Sequence, residues 1–152
     1  MNTGFIKNLK TSLNKKLIIY KRFLSFMKPI IYAEDDSDRQ KSLKLALEGR
    51  IPGVCVETVW DGDALVEKVL KNDYGLIITD QNMGSRHKTG LDAAKVIRES
   101  GRQTPIYLFT DAVLAENVIT ASGITRFFDR LHRNEILEAA ARVYAAMDLN
   151  KS

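Results

Sequence analysis

One cysteine in 152 residues, Cys55, leaves no partner for an internal disulfide. It lies in an apolar run, reads as a core thiol, and fits a reducing compartment. No apolar stretch approaches the roughly 20 residues that a membrane-spanning helix needs. The longest apolar run near the start, Leu17 to Tyr20, is too short for the core of an export signal, and no small-residue cleavage site follows it. The expected location is therefore the cytoplasm. There is no glycine-rich nucleotide loop, zinc-ligand spacing or Ser-His-Asp nucleophile elbow, which removes the commonest recognisable chemistries.

The first 28 residues also lack any acidic group, while holding Lys7, Lys10, Lys15, Lys16, Lys21, Arg22 and Lys28. That concentration accounts for the net charge of +4. From Pro29 onward, 16 basic groups face 19 acidic ones, so the body is mildly acidic and does not offer nucleic acid a basic surface. Within the extension, Ile6, Leu9, Leu13, Leu17, Tyr20, Leu24 and Met27 recur every three or four residues, the period of an amphipathic helix. Such a helix could lie on an anionic membrane, pair with another helix or contact nucleic acid. Met27-Lys28-Pro29 would equally suit the start of the body. The chain thus divides into a basic extension over 1–28 and a body over 29–149.

The body alternates short apolar runs with segments of helical period. Runs at 30–33, 54–59, 76–79, 106–110 and 124–128 are rich in β-branched or aromatic residues and predict buried strands. Segments at 38–47, 64–70, 91–99, 113–121 and 135–147 carry apolar residues at threes and fours and predict helices. Gly49, Pro52, Gly53, Gly75, Gly101, Pro105 and Gly123 fall between these elements. Five strand-helix pairs of this kind predict a parallel sheet with helices on both faces and right-handed crossovers. Ligands of such open sheets bind beyond the carboxyl ends of the strands.

That edge is where reactive residues collect. The first strand ends in Glu34-Asp35-Asp36 and the third in Asp80, a gathering of like charges that a hard cation such as Mg²⁺ would relieve. Taken singly, Asp36, Ser37 and Asp38 would be unremarkable helix caps and Asp80 a turn residue. The fourth strand, however, ends in Thr110, and the fifth runs through Phe127-Phe128-Asp129 into Arg130. Acids, a hydroxyl and a cation on four strand ends form the set that phosphoryl transfer requires. His87, His132 and Trp60 read as solvated or packing residues.

From Pro29 to about Met147 the chain resembles the receiver domain of two-component response regulators, and specifically a stand-alone receiver. The resemblance rests on "YAEDDSD", "LIITDQNM", "PIYLFTDA" and "TRFFDRLH" in this order and spacing. It implies an α/β, flavodoxin-like, doubly wound five-stranded parallel sheet. It implies Asp80 as phosphoacceptor, with Mg²⁺ held by Asp35, Asp36, Asp80 and the backbone carbonyl of Asn82. Thr110 matches the switch hydroxyl and Phe127 the switch aromatic. The implied partners are a sensor histidine kinase or histidine phosphotransfer protein and a downstream protein, with room for pairing of two copies. The implied role is signalling rather than enzymatic turnover.

Four positions depart from the family pattern. Arg130-Leu131 stands where lysine and proline are usual, Gly84 replaces a proline, the path from Asp80 to Gly90 is two residues longer, and Asp111 follows Thr110 in place of a small neutral residue. These departures keep a second reading in play, a pseudo-receiver that binds partners without being phosphorylated. A Mg²⁺-dependent phosphohydrolase with an aspartyl intermediate would want a second acid where this chain has Asn82.

Overall fold

A computed structural model describes residues 2–25 and 27–150. Helix α1 spans Thr3–Ser25 and precedes the sheet. The body then runs β1 (Ile30–Ala33), α2 (Ser37–Arg50), β2 (Val56–Val59), α3 (Gly62–Lys71), β3 (Leu76–Thr79), α4 (Gly90–Glu99), β4 (Ile106–Thr110), α5 (Glu116–Ala121), β5 (Arg126–Asp129) and α6 (Arg133–Leu149). A single turn of 3₁₀ helix at Arg130–His132 joins β5 to α6.

The strands form one parallel sheet in the order β2-β1-β3-β4-β5. Residues alternate faces along each strand, so the sheet buries two separate apolar layers. Ile30, Tyr32, Ile78, Tyr107, Phe109 and Phe128 pack with Leu43 and Leu47 of α2 and with Ile136, Ala140 and Tyr144 of α6. On the other face, Ile31, Ala33, Ile77, Ile106 and Leu108 meet α3 and α4 through Leu65, Val69, Leu91 and Ile97, with Ile119 of α5 at the margin. This is the doubly wound, flavodoxin-like architecture with helices on both faces. Its winding reverses between β1 and β3, and the chain segments leaving those two strands diverge there to leave a crevice.

The limits of several elements differ from the periodic pattern for local reasons. Strand β2 begins at Val56, two residues late, because residues 54 and 55 are a turn-to-strand approach in which Ile51 accepts a hydrogen bond from Val54. Cys55 is exposed, contrary to the core assignment: β2 lies at the edge of the sheet and only its neighbours Val54 and Val56 point inward. Strand β5 begins at Arg126. The preceding Thr125 is already bound to β4: its amide donates to the Ile106 carbonyl at 2.8 Å and its hydroxyl accepts from the Ile106 amide at 3.0 Å. Helix α5 starts three residues late, at Glu116, with Val113 wholly exposed in the loop before it and no side-chain cap at Ala115.

Helix α1 extends over most of the periodic stretch, and its described side chains, residues 3–19, are all exposed. The side chains of Tyr20 and Leu24 lie outside the described set. Met27 is not part of the helix; it packs against the layer under α2 and α6. Just after it, the Lys28 carbonyl accepts from the Tyr144 hydroxyl at 2.7 Å, and Pro29 accepts from the Gly75 amide at 2.9 Å. The chain is thereby fixed to the amino edge of the sheet. Among the described residues, no helix is long and apolar enough to cross a membrane.

Candidate functional site

Parity and register put the acids of β1 and β3 side by side. Ala33 pairs with Thr79, and the Asp80 amide donates to the Ala33 carbonyl at 3.0 Å, so the residues that follow emerge together at the crevice. Glu34 continues the alternation of Ile30 and Tyr32 and is fully buried. Its carboxylate accepts from the Tyr32 hydroxyl and the Asp36 amide, both at 3.1 Å. Gln40, reaching back from α2, donates to the Glu34 carbonyl at 2.6 Å and the Val59 carbonyl at 3.0 Å, tying β1 to β2 beneath the site. Carboxylate oxygens of Glu34, Asp35 and Asp80 lie within 4.8 Å of one another.

Asp36 does not join this group. Its carboxylate accepts the Arg39 amide at 2.9 Å as the N-cap of α2, and that bond, chiefly, holds its pKa below the usual carboxylate range. The acid beside Asp35 and Asp80 is Glu34, to which the resemblance assigns no role. Tyr32 two positions earlier carried the available signal, since a buried hydroxyl on the same face needs an acceptor. Asn82 is exposed in the loop after β3.

Arg130 closes the site from the opposite side. Its Nη1 donates to Glu34 Oε2 at 2.9 Å, while its Nη2 stands 2.9 Å from Asp80 Oδ2. The second contact is an ion pair without hydrogen-bond alignment, and both Nη2 and Nε are buried without an acceptor. The guanidinium lies 5.5 Å from the centre of the Phe109 ring, which supports it from below. Burial works against charge at Glu34 and raises its pKa, with Arg130 opposing that shift. For Arg130, burial acts in the other direction, but Glu34 and Asp80 outweigh it and the pKa rises. Gln81 also contributes: its amide donates to Asp80 Oδ1 at 2.7 Å, and its side chain and carbonyl accept from Leu91 and Gly90 at 3.0 Å each. The nucleus of α4 is thus bonded directly to the residue after Asp80.

Thr110, at the end of β4, is buried and its hydroxyl accepts from the Ala112 amide at 3.2 Å. Phe127 faces outward, 41% exposed, beside Leu114 and Ile119, whereas Phe128 is buried against Tyr107 with ring centres 5.1 Å apart. Asp111 is exposed. In the longer loop after β3, Gly84 has φ +97°, a conformation that proline is barred from and other residues adopt at a cost. His87 and Lys88 in that loop meet Asp63 of α3, both at 3.1 Å, with Asp61 at 3.6 Å from His87. His87 is thus an exposed loop residue, as expected, with its ring hydrogen-bonded to the Asp63 carboxylate. Hydrogen bonding from Lys88, followed by His87, lowers the pKa of Asp63.

The family model for the response regulator receiver domain matches residues 30–141. The chain belongs to this family. Solved receivers share the fold. The chemotaxis protein CheY4 of Vibrio cholerae is 25% identical, with a TM-score of 0.67 over 77% of this chain and 98% of that one. A two-component response regulator from Clostridium difficile is 21% identical, with a TM-score of 0.67 over 79% and 97%. The response regulator TrrA of Thermotoga maritima, solved in complex with Mg²⁺ and BeF, is 22% identical, with a TM-score of 0.68 over 77% and 99%. No curated protein matches. As a receiver, this protein is a signalling domain whose family implies phosphoryl acceptance, and the acid group at the β1–β3 crevice is where a receiver's chemistry would be carried out.

Proposed function

We propose that this receiver accepts a phosphoryl group on Asp80 from a phosphohistidine of a sensor kinase or phosphotransfer protein, in a Mg²⁺-dependent step. The observation that carries this reading is the Asp80 carboxylate at the crevice, grouped with Glu34 and Asp35 and faced by a guanidinium with unused N–H groups. With the three acids ionised, one arginine leaves a formal charge of −2, and hard oxygen donors in that number suit Mg²⁺. Glu34, Asp35 and Asp80, with the Asn82 carbonyl, would hold the ion, and Asp36 is left to its helix. The ion would supply charge neutralisation for the phosphoryl oxygens. An Asp80 oxygen attacks phosphorus, forming a P–O bond as the P–N bond to the donor imidazole breaks and its electron pair returns to the ring. Arg130 supplies the buried N–H donors that lack acceptors, and Thr110 a hydroxyl at the neighbouring strand end.

The body over 29–149 acts as one signalling unit, speaking to a downstream protein through the face of α5 and β5 that exposes Phe127. The test is mass measurement after incubation with acetyl phosphate. Labelling of the unmodified protein that needs Mg²⁺ and is lost in Asp80→Asn supports the reading. Labelling that persists in Asp80→Asn removes it.

One observation favours the pseudo-receiver alternative. Arg130 engages both Glu34 and Asp80, so the chain's own side chains partly neutralise the crevice. Absence of Asp80 labelling together with partner binding that Asp80→Asn leaves unchanged would establish that alternative.

A further inference from the structure

Helix α1 plays no part in the phosphoryl chemistry, and its apolar face is uncovered over the described side chains. Phe5 is 67% exposed and Leu13 57%, with Ile6, Leu9 and Leu17 also in the open. At 100° per residue, Phe5, Ile6, Leu9, Leu13, Leu17, Tyr20 and Leu24 fall within an arc of about 120°. Lys16 falls just inside one edge of that arc and Lys10 and Lys21 just beyond the other, while Lys7, Lys15 and Arg22, with the exposed Ile18 and Ile19, lie outside it. We propose that α1 is an interfacial helix that lies in the headgroup layer of an anionic lipid bilayer and holds the receiver at the membrane surface.

Charge and length decide between this occupant and others. A stripe meant for a water-soluble partner helix is ordinarily flanked by charges of both signs, which set register and pairing. Here the extension carries seven basic groups and no acid. A second copy of the helix would bring like charge against like, whereas a sheet of anionic headgroups is complementary everywhere. The 23 residues of α1 are enough to span a bilayer, but six cations from Lys7 to Arg22 exclude crossing, and no membrane span is found among the described residues. Lying flat lets the apolar arc sink while the marginal lysines extend to the phosphates. The body from Pro29 has three more acids than bases, so it would be repelled from the same surface, leaving α1 as the contact. The fixed point at Lys28 and Pro29 lies on the amino edge of the sheet, and Asp80 lies beyond the carboxyl edge. Attachment through α1 would leave the crevice free for a kinase.

The full chain would be tested by flotation with vesicles of phosphatidylcholine alone and of phosphatidylcholine with one-third phosphatidylglycerol. Binding to the anionic vesicles that weakens with salt and is absent with neutral ones is expected. Each of Lys7, Lys10, Lys15 and Lys16 changed to Gln should weaken that binding about fivefold. Leu9→Asn with Leu13→Asn should abolish it while leaving the thermal unfolding of the body unchanged, because both side chains are exposed. No binding to anionic vesicles, equal binding to neutral ones, or a lipid-free dimer in light scattering that Leu13→Asn dissolves overturns the proposal. Unchanged vesicle binding in the double leucine variant would do the same, since it would reduce α1 to a polycation of the kind that also binds nucleic acid.

Discussion

In Mg²⁺-free solution, removing the Arg130 side chain would leave the Glu34 carboxylate facing Tyr32, Asp35 and Asp80 without the one side-chain cation that pairs with it among the described residues. Breaking a buried pair in this way costs about 3–5 kcal/mol when the remaining charge cannot relax. Glu34 can relax by taking up a proton, and each unit by which the folded-state pKa exceeds the unfolded one costs about 1.4 kcal/mol at high pH. Burial already raises the Glu34 pKa and Arg130 opposes it, so Arg130→Ala raises it further. A carboxyl with a raised folded pKa contributes stability below its unfolded pKa and loses it as pH rises through the folded value. The loss in Arg130→Ala should therefore be about 3 kcal/mol at pH 8, a fall in Tm of about 6–12 °C. Near pH 4, below the unfolded value of about 4.3, it should shrink to about 1 kcal/mol, the share due to the contact with Phe109. Arg130→Lys should fall between, because an ammonium cannot span both carboxylates as the fork does. Urea unfolding of the three proteins at the two pH values measures this. A loss that is the same at both, or below about 1 kcal/mol at pH 8, refutes the argument that Arg130 is the counter-charge of Glu34.

Further outcomes follow from the same geometry. Asp35→Asn should weaken Mg²⁺ binding by at least about tenfold, or 1.4 kcal/mol, while Asp36→Asn leaves it nearly unchanged because asparagine caps a helix as well as aspartate does; calorimetric titration separates the two. A methyl group on Gly90 would collide with the Asp80 carbonyl, so Gly90→Ala should destabilise by about 1–3 kcal/mol in urea and displace the Asp80 amide resonance. Phe128→Ala should cost about 3–5 kcal/mol and the exposed neighbour Phe127→Ala less than about 1, which equilibrium unfolding would show.

The fold was legible because each of its strands is a short apolar run set off by glycine or proline, and three of them, β1, β3 and β4, have the bounds expected. Errors fell at edges. Cys55 looked like core because it sits between Val54 and Val56, yet it precedes an edge strand and alternation turns it to solvent. At the site, Asp80 and Thr110 could be found because each ends an apolar run. Glu34 could not be separated from Asp35 and Asp36, since three consecutive acids carry equal weight until strand parity buries the first and the start of α2 engages the third. The bridge from Arg130 to Glu34 and Asp80 joins residues 96 and 50 positions apart in sequence, and only the closing of the sheet brings them together.

The central claim is that Asp80 accepts a phosphoryl group in a Mg²⁺-dependent crevice formed with Glu34, Asp35 and Arg130. Amide chemical shifts of the full chain during titration with beryllofluoride and Mg²⁺ test it most directly. Shifts at Asp80, Gln81, Thr110 and Arg130 that require both reagents and vanish in Asp80→Asn are expected. Shifts that survive in Asp80→Asn, or a spectrum unmoved at saturating beryllofluoride and Mg²⁺, would contradict it.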